Sequence, residues 1–338
     1  MPRSRALWAK FWTMRRLGRW LGRLLVAVGV LVAVAVVLPR EMVERSPIAA
    51  DLADPEAYLA TREAAFDDII PGTEARIIWA GEDGARTDLV LLYLHGFSAT
   101  SEEIRPVPDL VAEGLGANLV YARLPGHGRD GDAMAEPRAG DWVDDATAML
   151  QVARAVGERV VIIGTSTGGT LAAYAATDAD MAADIAGIIF VSPNFELANP
   201  AGAMLEWPLA RVWLPLVAGR ERSFEPVNED HAAFWTEAYP TVATVTLGTL
   251  MRETRGRDVT ATDIPALFLF SDADQVVSAA ATRAVAERWG GAVTLAPQDL
   301  PAEGADPFNH VIAGDILSPA MTEPIADLMT DWIIATLP

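Results

Sequence analysis

Between Val160 and Tyr174 the chain reads VVIIGTSTGGTLAAY: an apolar, β-branched run breaks at Gly-Thr-Ser-Thr-Gly-Gly and resumes as small helix formers. The pattern predicts a strand, a sharp turn and a helix, with Ser166 at the bend. Gly164 and Gly168 stand two residues away on either side of it. Such flanks leave room for a strained serine to project its oxygen above a sheet edge, the geometry of a nucleophile elbow. A βα turn with no chemistry is the alternative that this stretch alone leaves open.

The same strand-then-helix rhythm runs on both sides of the bend. ARIIWAG, LVLLYLHGF, NLVYARLPGHG, RVVIIG, IAGIIFV, IPALFLF and AVTLAPQ read as strands, and helical stretches such as WVDDATAMLQVARAVG and PIADLMTDWIIATL separate them. Continuous apolar strands alternating with helices imply a mostly parallel central sheet covered by helices on both faces. The first two strands, joined by EDGARTD, are expected to form an antiparallel hairpin at one edge. Residues 197–262, rich in Trp, Leu and Pro, are too long for a plain loop and show no clear strand. They are expected to form a helical cap over the carboxyl ends of the strands, where open sheets of this class bind ligands.

The N-terminus is of a different kind. Eight of the 26 basic residues lie in the first forty positions, ahead of every acid, although the whole chain carries a net charge of −20. The rest is therefore strongly acidic, which argues against binding nucleic acid or lying flat on anionic headgroups. Between Arg23 and Arg40 runs LLVAVGVLVAVAVVLP, uncharged and without amphipathic period. As a helix it reaches about 24 Å, and Trp20, Leu21 and Gly22 with a snorkelling Arg23 close most of the gap to a bilayer core. Residues 1–40 are expected to be a basic arm and a single membrane anchor, with a cleaved signal peptide and a buried helix as alternatives. The positive-inside rule puts the arm in the cytoplasm and the remainder outside, periplasmic in a Gram-negative cell, or secreted if a signal is cleaved. Residues 41–74 read as an acidic linker or stalk, and 75–338 as the main domain. The absence of cysteine excludes disulfides, thiolate metal sites and a cysteine nucleophile.

A serine nucleophile needs a base, and a carboxylate to hold that base. There are four histidines. His310, in the polar loop DPFNHVIAG after the last strand, is placed where a base should sit, while His95 and His127 read as braces of tight loops and His231 falls in the cap. The acid is expected at the end of PALFLF, where Asp272 and Asp274 both qualify. Asp274 is preferred because the apolar residues after it anchor the loop, and Asp272 is left to shape the turn. An oxyanion would be met by the backbone N–H of Thr167 at the helix start and by that of Phe97 after His95-Gly96.

Taken in order, YLHGF, RLPGHGRDGD, GTSTGG, SDADQVV and NHV resemble the α/β-hydrolase superfamily, in particular its monoacylglycerol lipase and carboxylesterase branch, also called serine aminopeptidase-like. The resemblance covers about residues 75–337. It implies an α/β-hydrolase fold, a triad of Ser166, Asp274 and His310, a cap made by the insertion, and no cofactor or metal. One departure is that threonines, Thr165 and Thr167, flank the serine where histidine, leucine or methionine is common.

The function expected is that of a membrane-anchored serine hydrolase cleaving carboxylic esters with lipophilic acyl or monoacylglycerol-like groups through an acyl-enzyme. Trp207, Leu209, Trp213, Leu214, Leu216, Phe234 and Trp235 would roof an apolar substrate site, with Trp207, Trp213, Phe234 and Trp235 as contact residues. Simple packing of the cap is the other reading of these side chains. A thioesterase, lactonase or peptidase would use the same triad, and a tethered binding module would use only the fold. Epoxide hydrolases and dehalogenases are disfavoured because they need a carboxylate at the elbow.

Overall fold

A computed structural model describes residues 18–23, 26, 29, 38–46 and 52–337. These divide into two units, one up to Glu41 together with Trp207–Leu209, and one from Met42 onward. The expected anchor falls for the most part outside the described residues. Among those described, no helix is long and apolar enough to cross a membrane.

The larger unit is built on seven strands in the order β1-β3-β2-β4-β5-β8-β9. They are β1 Arg76–Ile78, β2 Thr87–Leu94, β3 Asn118–Tyr121, β4 Gly157–Thr165, β5 Ile185–Val191, β8 Ala266–Phe270 and β9 Val293–Pro297. All neighbours run parallel except β1, which pairs with β3 antiparallel. The hairpin expected between β1 and β2 is therefore absent. β4 occupies one edge of β2 and β3 the other, so β1 lies beyond β3, a displacement the connecting segment easily spans.

Successive residues of each strand face opposite sides, and this splits the core in two. Leu92, Ile162, Ile188 and Phe268 belong to one cluster. Their neighbours Leu91, Val161, Ile189 and Leu267 belong to the other. Helices α3 (Ala139–Val156), α4 (Thr167–Ala176), α7 (Ala243–Arg255) and α8 (Ala279–Arg288) cover the first face, whereas α2 (Val107–Leu115) and α9 (Thr322–Thr336) cover the second. The register aligns Leu94 with Gly164, Thr165 with Val191, and Val191 with Leu269. The carboxyl ends of β2, β4, β5 and β8 are thus level, and the loops that follow them open on a common rim.

The stretch expected as a linker is held against this unit over much of its length. Arg45 pairs with Asp144 and Asp178. Gly140 of α3 lies so close to the Glu44 carbonyl that a Cβ there would sit 1.8 Å from it. Helix α1 (Pro55–Glu63) begins on an Asp54 cap and ends on Glu63, whose carboxylate takes both Nε and Nη2 of the buried Arg123 at 2.6 and 3.2 Å.

The insertion between β5 and β8 contains α5 (Ala210–Val217), α6 (Glu229–Phe234) and α7. It also holds a short antiparallel pair, β6 (Glu221–Ser223) with β7 (Ala238–Pro240), which the expected all-helical cap did not include. Three-residue strands carry too little periodicity to read from sequence.

Candidate active site

Ser166 stands between the end of β4 and the start of α4 at φ 50°, ψ −110°, a conformation that side chains rarely adopt. The glycines around it make this possible. A Cβ on Gly164 would come within 2.6 Å of the Gly168 carbonyl oxygen, one on Gly168 within 1.9 Å of the Leu94 carbonyl oxygen, and one on Gly169 within 2.8 Å of Pro193. The bend is fixed from both sides: Ser166 N–H donates to Val191 at 2.9 Å, and its carbonyl accepts from Asn194 at 3.0 Å and Thr170 at 3.1 Å. Sheet and helix together hold the serine at the rim.

Asp274 and His310 meet across the loops that follow β8 and β9. Asp274 Oδ1 accepts the backbone N–H groups of Val276 and Val277 at 2.8 and 2.9 Å. Its Oδ2 lies 2.9 Å from His310 Nδ1. Asp272 is drawn away instead, its carboxylate paired with Arg283 at 2.6 and 3.1 Å. His310 is positioned in turn by Asp306, which accepts the N–H groups of Phe308, His310 and Val311 at 3.1, 2.9 and 3.0 Å. Burial alone would lower the His310 pKa, but the carboxylates of Asp274, Glu103 and Asp306 outweigh it and raise it above the ordinary 6.5.

Ser166 and His310 both open on one cavity of about 660 Å³, which Phe97 also lines. Thr167 takes the first position of α4, where a backbone N–H has no acceptor within the helix. The Phe97 ring packs edge-on against His127, Trp142 and Tyr239, which fixes the loop carrying its N–H. His95 and His127 are the expected braces. The His95 ring sits between the Gly96 carbonyl at 2.9 Å and the Leu124 N–H at 3.0 Å, and burial lowers its pKa to about 4. The neutral ring therefore donates from Nδ1 and accepts at Nε2.

The cap contributes differently from expectation. Leu214 and Trp235 line the cavity, and so do Met204, Phe224, His231 and Tyr239. Trp207 is exposed, Trp213 packs beside Leu205 and Val245, and Phe234 packs against the second core cluster, so none of these three lines it. Within α5, which carries Trp213, the reason is helix phase. In α5, Ala210 and Leu214, four residues apart, face inward, whereas Val212, Leu216 and Val217 face solvent. Residue type alone does not give that phase.

Two acids were not singled out from sequence. Asp306 carries a signal, an acid before proline four residues ahead of the histidine. Glu103 carries none: it sits in the 3-10 turn Ser101–Ile104, wholly buried, and lines the cavity.

The family profile described as "Serine aminopeptidase, S33" matches residues 85–296. A thermostable monoacylglycerol lipase of Bacillus sp. (strain H-257) is 27% identical over 187 residues, 55% of this chain and 71% of that one. Among solved structures, one reported with the metagenome-derived lipolytic enzymes LipS and LipT superposes with a TM-score of 0.62 at 20% identity, over 79% of this chain and 99% of that one. The monoacylglycerol lipase of Paleococcus ferrophilus gives 0.56 at 15%, over 78% and 99%. A soluble variant of monoglyceride lipase from Saccharomyces cerevisiae gives 0.58 at 14%, over 78% and 91%. These structural likenesses establish the α/β-hydrolase fold.

Proposed function

The chain belongs to the serine aminopeptidase, S33 family of α/β hydrolases, and from that premise we propose that this serine hydrolase cleaves lipophilic carboxylic esters through Ser166, His310 and Asp274. The observation that carries the reading is the 2.9 Å contact between Asp274 and His310 Nδ1 beside a cavity that also receives a strained Ser166. With Nδ1 committed to Asp274, Nε2 is the ring nitrogen left to take the Ser166 proton as Oγ attacks the acyl carbonyl. The tetrahedral oxyanion is met by the N–H groups of Phe97 and Thr167. His310 then returns the proton to the leaving alcohol, and water, activated by the same ring, releases the acid from the acyl-enzyme.

The cavity's Met204, Leu214, Phe224 and Trp235 favour an apolar acyl chain. The uncharged run of residues 24–39 and its basic flank support a tether, with the N-terminal arm in the cytoplasm and the hydrolase unit outside. The decisive test is a fluorophosphonate probe on the full chain, wild type against Ser166→Ala. Labelling is expected in the first and lost in the second. A folded wild type that takes no label refutes the reading. Neutral p-nitrophenyl esters of graded length and aminoacyl p-nitroanilides then separate esterase from peptidase, and the esters are expected to turn over.

A further inference from the structure

The least expected group in the cavity wall is Glu103. Its Oε2 accepts two hydrogen bonds, from Gly96 N–H at 2.7 Å and from Tyr93 Oη at 2.9 Å. Tyr93 Oη in turn lies 3.2 Å from Thr165 Oγ1. Gly96 precedes Phe97, the oxyanion donor of the proposed mechanism, and Thr165 precedes Ser166. One carboxylate therefore joins the loop after β2 to the elbow after β4 beneath the reacting centre. The fit is tight, since a Cβ on Gly96 would sit 2.4 Å from Glu103 Oε1. The chain also accounts for one of the threonines flanking the serine: Thr165 supplies a hydroxyl within reach of Tyr93, which a leucine lacks.

We propose that Glu103 is the positioning residue of this site, holding the Phe97 N–H and Ser166 in register through Gly96, Tyr93 and Thr165 while presenting its charge to His310. This rests on the reading of Ser166 and His310 given above. Tyr93 from β2 is hydrogen-bonded to Glu103, and His310 from the loop after β9 lines the same cavity, with Asp274 on its Nδ1 and Asp306 on its backbone N–H. Burial raises the Glu103 pKa to about 7, while the Gly96 N–H, His310 and Tyr93 oppose the rise. Both shifts are upward, and the two groups act on each other's charge. An ionised Glu103 favours protonated His310, which helps the imidazolium formed during attack.

The test uses Glu103→Gln, which keeps an acceptor and loses the charge, with Tyr93→Phe beside it. Both are measured by kcat and KM on a neutral ester, by the pH profile, by thermal melting and by fluorophosphonate titration of active serines. For Glu103→Gln the expectation is a fall in kcat of about ten- to a hundredfold at nearly unchanged KM, with the acidic limb of the profile moved to lower pH. Tyr93→Phe is expected to lower kcat and leave that limb in place, because the charge remains. A folded Glu103→Gln protein with wild-type kcat and an unmoved limb overturns the proposal, even if its melting temperature has dropped. If Glu103→Gln does not fold, an unaltered kcat in Tyr93→Phe overturns it. A wild type that takes no probe refutes the catalytic reading itself, which is a separate outcome.

Discussion

Asp272 and Asp274 stand two residues apart on one loop, and their partners give them opposite uses. Asp272 is tied to Arg283 at the surface, whereas Asp274 is held by two backbone N–H groups and faces His310. Replacing Asp274 by Asn keeps the shape but favours the wrong tautomer of the ring, and kcat at neutral pH is expected to fall by about 10⁴-fold. Asp272→Asn loses an exposed ion pair and is expected to leave kcat nearly unchanged. Steady-state kinetics of the two variants side by side check both. The raised pKa of His310 sets a second expectation. Attack needs the neutral ring, so kcat/KM should fall as pH drops through a value above 6.5, which a pH profile on a neutral ester reads directly. The sign for stability is the reverse: what His310 adds to folding is fully present below its ordinary pKa and is lost as pH rises through the raised one.

At the scale of elements, the elbow is the most demanding junction. Gly168 lies against the Leu94 backbone, so Gly168→Ala must displace β2 or the first turn of α4. A loss of about 1–3 kcal/mol is expected together with loss of probe labelling, read by melting and by fluorophosphonate. The strands, the bend at Ser166 and the pairing of Asp274 with His310 were legible because each rests on local pattern: apolar runs, glycine spacing, and loops that follow strands. The edge pairing of β1 was not, because partner choice depends on which ladder edges the later strands leave open. The cap side chains were not legible either. Leu214 and Val212 are similar residues two positions apart, and helix phase alone sends one into the cavity and the other to solvent. Glu103 was hidden for a related reason, since its partners Tyr93 and Gly96 become neighbours only when the loop after β2 folds back.

Across the whole molecule, charge and cavity work in opposite directions. The chain carries a net charge of −20, whereas Leu214, Phe224 and Trp235 make the cavity lining apolar. An anionic ester must approach against that field, and the repulsion is screened within about 8 Å at physiological salt. The kcat/KM for an anionic ester is therefore expected to rise with ionic strength while that of a neutral ester of equal length stays flat, and a salt series on the two checks it. The buried pair of Arg123 and Glu63 anchors α1 to the unit. Arg123→Met leaves Glu63 without its main partner and is expected to cost about 3–5 kcal/mol, read by denaturant melts.

The insertion between β5 and β8 has a consequence for how such an enzyme changes its taste. Its last helix, α7, roots Leu247, Leu250 and Met251 in the main core and reaches the cavity through Thr244 and Leu247, while the part before it supplies Met204, Leu214, Phe224 and Trp235 to that cavity. Most of the interchangeable lining therefore stops short of α7, and Thr244 and Leu247 are the α7 positions that a change of selectivity would alter singly. A transplant of selectivity from a relative should be cut near Thr241 and leave α7 with its host, because moving that helix carries a piece of the keel along with the sail.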